Sequence, residues 1–241
     1  MATDRTRPGV VITGAAGDMG SALSDSFRSD GFLVFGADIV EPPARDGLVP
    51  VAVDVTDRAA VFDLAERAAD ESRLSVWVNC AGIFQPAAVA QSGTEDWHRI
   101  IAVNLTGTFH GCAAALAVMS RGGGGRIVNA GSLSGHVGGT GVHPAYGASK
   151  AGVHALTKTY ALEGARHGIA CNAVAPGVLE GRMGGQFADG QLNRLARANP
   201  MRRLGRIGEA VEAIRFLADP VRAAYVNGVI LPVNGGAYMP S

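Results

Sequence analysis

Short apolar runs bounded by turn residues recur along the chain at residues 10–12, 32–35, 48–53, 76–78, 126–130, 169–175 and 229–233, and each reads as a strand. Helical periods lie between them. Val61, Leu64, Ala65 and Ala68 follow the i, i+3, i+4, i+7 spacing of one helix face, with Thr56 as the expected N-cap, and Ala210, Ile214 and Leu217 repeat the pattern farther on. Strands apolar on both faces and alternating with helices predict an α/β, doubly wound, Rossmann-type parallel sheet covered on both sides, because parallel neighbours need crossover connections. Proline inside a strand removes a ladder donor and is tolerated mainly at a sheet edge. Pro50 falls in the third strand and Pro232 in the seventh, which are the two edges if the order is 3-2-1-4-5-6-7. No linker, repeat or charge run interrupts the pattern. Residues 1–241 therefore read as a single domain.

Composition narrows the function classes. With 241 residues, 47% hydrophobic and 17% charged, the chain can bury a large core. Its formal net charge is zero, so no basic excess is available to bind a nucleic-acid backbone, and no nucleic-acid partner is expected. Cys80, Cys112 and Cys171 are odd in number and lack metal-ligand spacing, which makes them reduced core thiols and leaves no metal site. Residues 1–9 carry no apolar secretion core, and Asn104, Gly107, His110 and Gly111 break up the uncharged stretch 100–120. The expectation is a cytoplasmic protein with no membrane partner.

Candidate chemistry begins where the first strand meets a glycine-rich loop, Thr13-Gly14-Ala15-Ala16-Gly17-Asp18-Met19-Gly20, followed by a helix carrying Leu23 and Phe27. Such a loop lets backbone amides approach a pyrophosphate, and the helix N-terminus adds a favourable dipole. Asp38 ends the second strand. A carboxylate there can accept hydrogen bonds from the adenosine ribose hydroxyls and repels a 2′-phosphate, and no basic residue stands at Gly17, Asp18 or Ile39 to bind one. The cofactor indicated is NAD.

Tyr146 and Lys150 are four apart at the start of a long helical stretch, which places them on one face. An ammonium beside a phenol favours phenolate, and so is expected to bring Tyr146 toward working pH as a general acid/base on an alcohol oxygen. Only Lys150 and Lys158 are lysines among the 21 basic side chains, so a compact point charge at 150 stands out against an arginine background. Ser132 follows Asn129 at the end of the fifth strand, Asn79-Cys80-Ala81-Gly82 ends the fourth, and Asn104 opens a helix after Ile100 and Val103.

Together these features resemble the short-chain dehydrogenase/reductase family, in its short single-domain branch, from Val10 to Gly236. The resemblance implies an NAD(H)-dependent oxidoreductase, a ketoreductase-type enzyme interconverting a secondary alcohol and a ketone by hydride transfer. In it Tyr146 is the acid/base. Lys150 lowers the tyrosine pKa and holds the nicotinamide ribose, Ser132 hydrogen-bonds the substrate oxygen, and Asn104 supports a proton-relay water. It implies cofactor contacts from Gly14, Gly17, Asp18, Met19, Gly20, Asp38, Asn79, Ala81 and Gly82. Asp54 and Val55 would lie beside adenine, and Pro176, Gly177 and Val178 near the nicotinamide. It also implies a homotetramer, in keeping with the absence of Asp, Glu, Lys and Arg from residues 104–119.

The chain departs from the family pattern at two points of the cofactor site. Asp18 stands where the short branch has glycine, leaving glycines at 14, 17 and 20 and inviting either a helix cap or repulsion of the pyrophosphate. Gly181 stands where a threonine often contacts the nicotinamide amide. Cys80 and Asn234 replace residues that are more often Asn and Asp. The glycine spacing is also that of a sugar-nucleotide epimerase or dehydratase, one alternative, although at this length the chain has little room for an additional substrate region. A non-catalytic nucleotide-sensing protein on the same fold is the other.

Residues 178–205 are long for a connection and leave the end of the sixth strand, so they are expected to form a substrate lid. Gly181, Gly184, Gly185 and Gly190 offer hinges, and Met183, Phe187, Leu192 and Leu195 an apolar inner surface. Arginines at 182, 194, 197, 202, 203 and 206 outnumber Glu180 and Asp189 in this stretch. They are expected either to solvate its outer face or to meet an acidic group on the substrate.

Overall fold

The alternating apolar runs pair side by side as seven parallel strands: β1 (Pro8–Thr13), β2 (Leu33–Asp38), β3 (Leu48–Ala52), β4 (Arg73–Asn79), β5 (Gly125–Ala130), β6 (Ile169–Pro176) and β7 (Ile230–Val233). The structure, a computed structural model, describes residues 6–139, 141–187 and 190–240. Strand order is β3-β2-β1-β4-β5-β6-β7, with every pairing parallel. Pro50 and Pro232 lie on the two edge strands, where a missing N–H leaves no gap in a ladder.

Each strand's alternation divides the core between two faces. Val10 and Ile12 point toward α1 (Asp18–Ser29) and α8 (Ile207–Ala218), packing with Leu23, Phe27, Ile214 and Leu217. Val11 and Trp77 point the other way, into a cluster with Val61, Leu64, Ala65 and Ala68 of α2 (Arg58–Glu71) and with Cys112, Ala114 and Ala115. The N-cap of α2 is Asp57 and not Thr56: the Asp57 carboxylate accepts from the amides of Ala59 and Ala60. Thr56 is already held by Asp54, whose Oδ1 accepts from both its amide and its hydroxyl at 2.8 Å.

Residues 94–119 form one continuous helical run, made of α3 (Thr94–Ile101), a π turn (Ala102–Thr106) and α4 (Gly107–Met119). By length and composition alone this run could cross a membrane. Here half of its apolar window is buried within the fold, against α2, β4 and the long α6 (Pro144–Ala165). Asn104 thus sits inside a helix, in its π turn, and does not open one. A short α5 (Ser134–Val137) precedes α6, and α7 (Gln191–Ala198) lies in the segment after β6. That segment is closed at its base: the Glu180 amide donates to the Gly205 carbonyl at 2.8 Å, and the Gly205 amide to the Val178 carbonyl at 3.0 Å. Residues 188–189 of the expected lid lie outside the described residues.

Candidate active site

The sheet register levels the strand ends. Ala37, Thr13, Asn79 and Asn129 form one row across β2, β1, β4 and β5, and the loops beyond that row enclose a cleft of about 1130 Å³. This is the carboxyl edge of the sheet, at the switch point between β1 and β4, where doubly wound folds bind ligands. All the predicted site residues except Asn79 and Asn104 line the cleft.

On one side is the glycine loop. Gly14 has φ +72°, and a Cβ there would stand 2.7 Å from the Ala81 backbone. A Cβ on Gly20 would stand 2.1 Å from the Gly14 carbonyl oxygen. Loop and helix can therefore meet this closely only with glycine at both positions. Thr13 ties the loop to β4, its hydroxyl accepting from the amides of Cys80 and Ala81. Asp38 faces the same loop: its carboxylate accepts from the Ala16 amide at 3.0 Å and the Val40 amide at 3.3 Å. A narrow backbone cradle with a carboxylate beside it fits the pyrophosphate and ribose of a dinucleotide. Asp54 and Val55 border the cleft beyond it.

Asp18 does not cap α1. Gly17 is the N-cap residue, without a side-chain hydrogen bond, and the Asp18 carboxylate is taken up by Arg182 from the segment after β6.

Opposite the loop, α6 brings up the catalytic candidates. Its entry is set by Pro144 in the first turn and by His143, whose Nδ1 accepts from the Ala145 amide. Tyr146 and Lys150 then share one face, as their spacing predicts, and both reach the cleft. Ser132 lines the same cleft, its hydroxyl accepting from the Ser134 amide at 3.1 Å. Burial pushes the Tyr146 phenol up from its ordinary pKa, and the nearby Ser132 hydroxyl pulls the other way. The expected lowering by Lys150 is not what the site shows. The ammonium lies 5.9 Å from the Tyr146 ring centre and donates to the Ala130 carbonyl at 2.7 Å, and burial brings its own pKa down to about 8.

The two asparagines sit behind this surface. Asn79 is fully engaged in the core: Nδ2 donates to Asn129 at 2.8 Å, and Oδ1 accepts from the Trp77 indole. Its side chain is thus committed to the core and does not line the cleft. Asn104 holds the Ile83 backbone, accepting from its amide at 2.8 Å and donating to its carbonyl at 2.9 Å. It also donates to the Ser149 hydroxyl, which in turn donates to the Tyr146 carbonyl at 2.7 Å. Asn104 thus couples the β4 loop to the helix turn that carries Tyr146.

Four contributors escape sequence reasoning. Ser149 is buried between the expected residues, and its neighbours alone reveal its use. Phe84 stacks edge-on against Tyr146 at 5.2 Å and packs on Phe187 at 5.1 Å, building an apolar wall beside the phenol. His154 comes up behind Ser132, its Nε2 accepting from the Ser132 amide at 3.4 Å. Arg182 stood out only as one of several arginines. From the expected lid, Met183, Phe187 and Leu195 do reach the cleft.

Comparison with known proteins agrees with this arrangement. A family model described as enoyl-(acyl carrier protein) reductase matches residues 14–238. The chain is 34% identical to human (3R)-3-hydroxyacyl-CoA dehydrogenase, covering 95% of each. It is 35% identical to the 3-oxoacyl-[acyl-carrier-protein] reductase of Thermotoga maritima, over 94% of this chain and 96% of that one. The solved structure of aldohexose dehydrogenase from Thermoplasma acidophilum superposes with a TM-score of 0.87 at 28% identity, covering 99% of both chains. With a parallel sheet in this order, a glycine loop at its switch point and relatives matched almost end to end, the chain belongs to the short-chain dehydrogenase/reductase family of oxidoreductases.

Proposed function

We propose that the protein is an NAD-dependent oxidoreductase that interconverts a secondary alcohol and a ketone. One observation carries the reading: Ser132, Tyr146 and Lys150 come together on the wall of the same cleft that the glycine loop borders. When bound, the nicotinamide donates or accepts the hydride. The remaining work belongs to the chain. Burial keeps the Tyr146 phenol protonated at neutral pH, the state needed to give a proton to a ketone oxygen as it gains charge. Ser132 donates a hydrogen bond to that same oxygen and so fixes where it sits. Asn104, through Ser149 and the Ile83 backbone, holds the Tyr146 turn in place. The glycine loop and Asp38 seat the dinucleotide, with Asp38 selecting NAD by its charge.

Phe84, Phe187, Met183 and Leu195 give the substrate end an apolar lining. Hydroxyacyl and oxoacyl thioesters, the substrate types named for the human and Thermotoga relatives, are therefore the first substrates to try. The test is NADH consumption at 340 nm with acyl thioesters, simple ketones and nucleotide sugars, on wild type and Tyr146→Phe. Ketone or oxoacyl reduction by wild type, with a loss of at least about a hundredfold in the variant, is the expected result. Turnover of nucleotide sugars alone, or an active Tyr146→Phe, would overturn the reading.

A further inference from the structure

Gly17 is extended and Asp18 is the first residue of α1, so the loop amides and the partial positive charge of the helix converge where a dinucleotide pyrophosphate is bound in this architecture. A carboxylate competes for the same place. Asp18 nevertheless lines the cleft. Its Oδ2 accepts from the main-chain N–H of Arg182 at 2.7 Å, and its Oδ1 accepts from Arg182 Nε. Arg182 Nη2 donates to the Ala16 carbonyl at 2.7 Å. A single residue from the segment after β6 therefore makes three hydrogen bonds to the glycine loop, and the two to Asp18, backbone first, together with the guanidinium charge hold its carboxyl below the usual range.

Gly181 permits this. Its φ is +129°, and a Cβ there would stand 2.7 Å from Asp18 Oδ2. A threonine would be strained in that backbone conformation and would also collide with the carboxylate. The two departures from the family pattern, Asp18 and Gly181, are thus in contact, and Arg182 is the third member of the same change. The Arg182 side chain is 70% exposed, so an ion pair of this kind adds little to folding, and its consequence lies with what binds beside it.

We propose that Asp18 and Arg182 form a charge-compensated clamp on the cofactor pyrophosphate: Arg182 cancels the Asp18 carboxylate at the start of α1 and presents its remaining N–H groups to the phosphate oxygens. The clamp rests on the dinucleotide reading given above. A guanidinium has five N–H donors. Asp18 and Ala16 occupy two of them, leaving three for an anion that the glycine loop holds from the other side. Without Arg182, the cofactor would meet an unpaired carboxylate at close range.

The test is sign epistasis in binding. NADH affinity is measured by fluorescence titration for wild type, Arg182→Ala, Asp18→Gly and the double variant, with melting temperatures to confirm folding. ADP-ribose, which has the pyrophosphate without the nicotinamide, is titrated in parallel. Arg182→Ala is expected to weaken NADH and ADP-ribose by about tenfold or more, because it uncovers Asp18. Asp18→Gly in that background is expected to recover at least about threefold of the loss in both, by removing the uncovered carboxylate, the remainder being the Arg182 contacts to the phosphate oxygens. Arg194→Ala removes the same charge from the same segment, away from Asp18, and should leave both affinities unchanged. Unchanged binding in Arg182→Ala, or a double variant as weak as that single variant, would overturn the clamp. If wild type binds neither NADH, NADPH nor ADP-ribose, the dinucleotide reading itself falls and takes the clamp with it.

Discussion

The Lys150 ammonium donates to the Ala130 main-chain oxygen at 2.7 Å, which anchors it to the end of β5 and not to the Tyr146 phenol. Lys150 is thereby held in the wall of the cleft that Ser132 and Tyr146 also line, charged but poorly solvated.

Replacing Lys150 by Met should therefore damage two things at once. Turnover is expected to fall by at least about a hundredfold and NADH affinity to weaken measurably, because the proposed function gives one ammonium both the proton-transfer site and the nicotinamide ribose to serve. A separate signature appears in stability. Burial lowers the native pKa from 10.5 to about 8, so between those values the unfolded chain binds the proton that the native state has released. Wild-type stability should gain over that window as pH rises, relative to Lys150→Met, which has no such proton to lose. Parallel melting curves across the window would show no difference if the lysine were solvated.

Cofactor choice is expected to rest on Asp38. Its carboxylate stands at the end of β2 with Ile39 exposed beside it, and it accepts from the Ala16 amide of the glycine loop. Asp38→Ser with Ile39→Arg removes the repulsion of a 2′-phosphate and supplies a partner for it, so the ratio of kcat/KM for NADH over NADPH should fall by at least about tenfold. A wild type that already prefers NADPH would refute the assignment.

How much of this was legible beforehand follows from the range of each interaction. Strands buried on both faces announce themselves as apolar runs, and edge strands announce themselves by Pro50 and Pro232, because burial and ladder geometry act residue by residue. Tyr146 and Lys150 were visible because helix periodicity alone brings them together. Thr56 and Asp57 are adjacent residues of capping type, and what decides between them is that Asp54 already occupies the Thr56 hydroxyl. The π turn at Asn104 and the clasp between Asp18 and Arg182 are tertiary. The latter joins residues 164 apart, and no local pattern encodes that contact. The raised Tyr146 pKa comes from burial, and the Lys150 ammonium turns to the Ala130 carbonyl, neither of which spacing reveals.

His154 is expected to make the protein acid-sensitive through Ser132. It is nearly fully buried, packs against a tilted His136 ring at 4.4 Å, and accepts from the Ser132 amide, which only an unprotonated Nε2 can do. Burial first, then His136 and the charges of Lys150 and Lys158, bring its pKa down to about 4. Between about 4 and 6.5 the unfolded state binds the proton and the native state does not, so stability is lost as pH falls through that range. His154→Gln should remove this part of the acid sensitivity, up to about 3 kcal/mol, when denaturant midpoints of the two proteins are compared from neutral pH down to pH about 4. Identical acid profiles would mean that the imidazole is solvated.

Assembly should involve α4 and α6. Phe109 on α4 is 43% exposed and Leu162 on α6 is 82% exposed, and no charged residue of α4 keeps that helix in water. A homotetramer by light scattering at micromolar concentration is the expected outcome, and Phe109→Glu with Leu162→Glu should lower the mass. A wild-type monomer would contradict it.

The segment from 178 to 205 is expected to open and close over the substrate. Its base is fixed by the pairing of Leu179 with Gly205 and its start by the hydrogen bonds of Arg182 to Asp18 and Ala16, so motion must arise beyond Arg182. Gly181 and Gly190 both have positive φ and flank the stretch, and α7 within it has no buried residue to hold it down. Little burial means a low free energy for local opening. Yet Met183, Phe187 and Leu195 reach the cleft, so a substrate lying against Phe84 and Tyr146 would add the apolar contacts that the segment lacks. Limited proteolysis should first cut the free protein between residues 181 and 190, and NADH with substrate should slow that cut several-fold while leaving slower cuts elsewhere unaffected. Equal cleavage with and without ligands would show that the segment does not close on them.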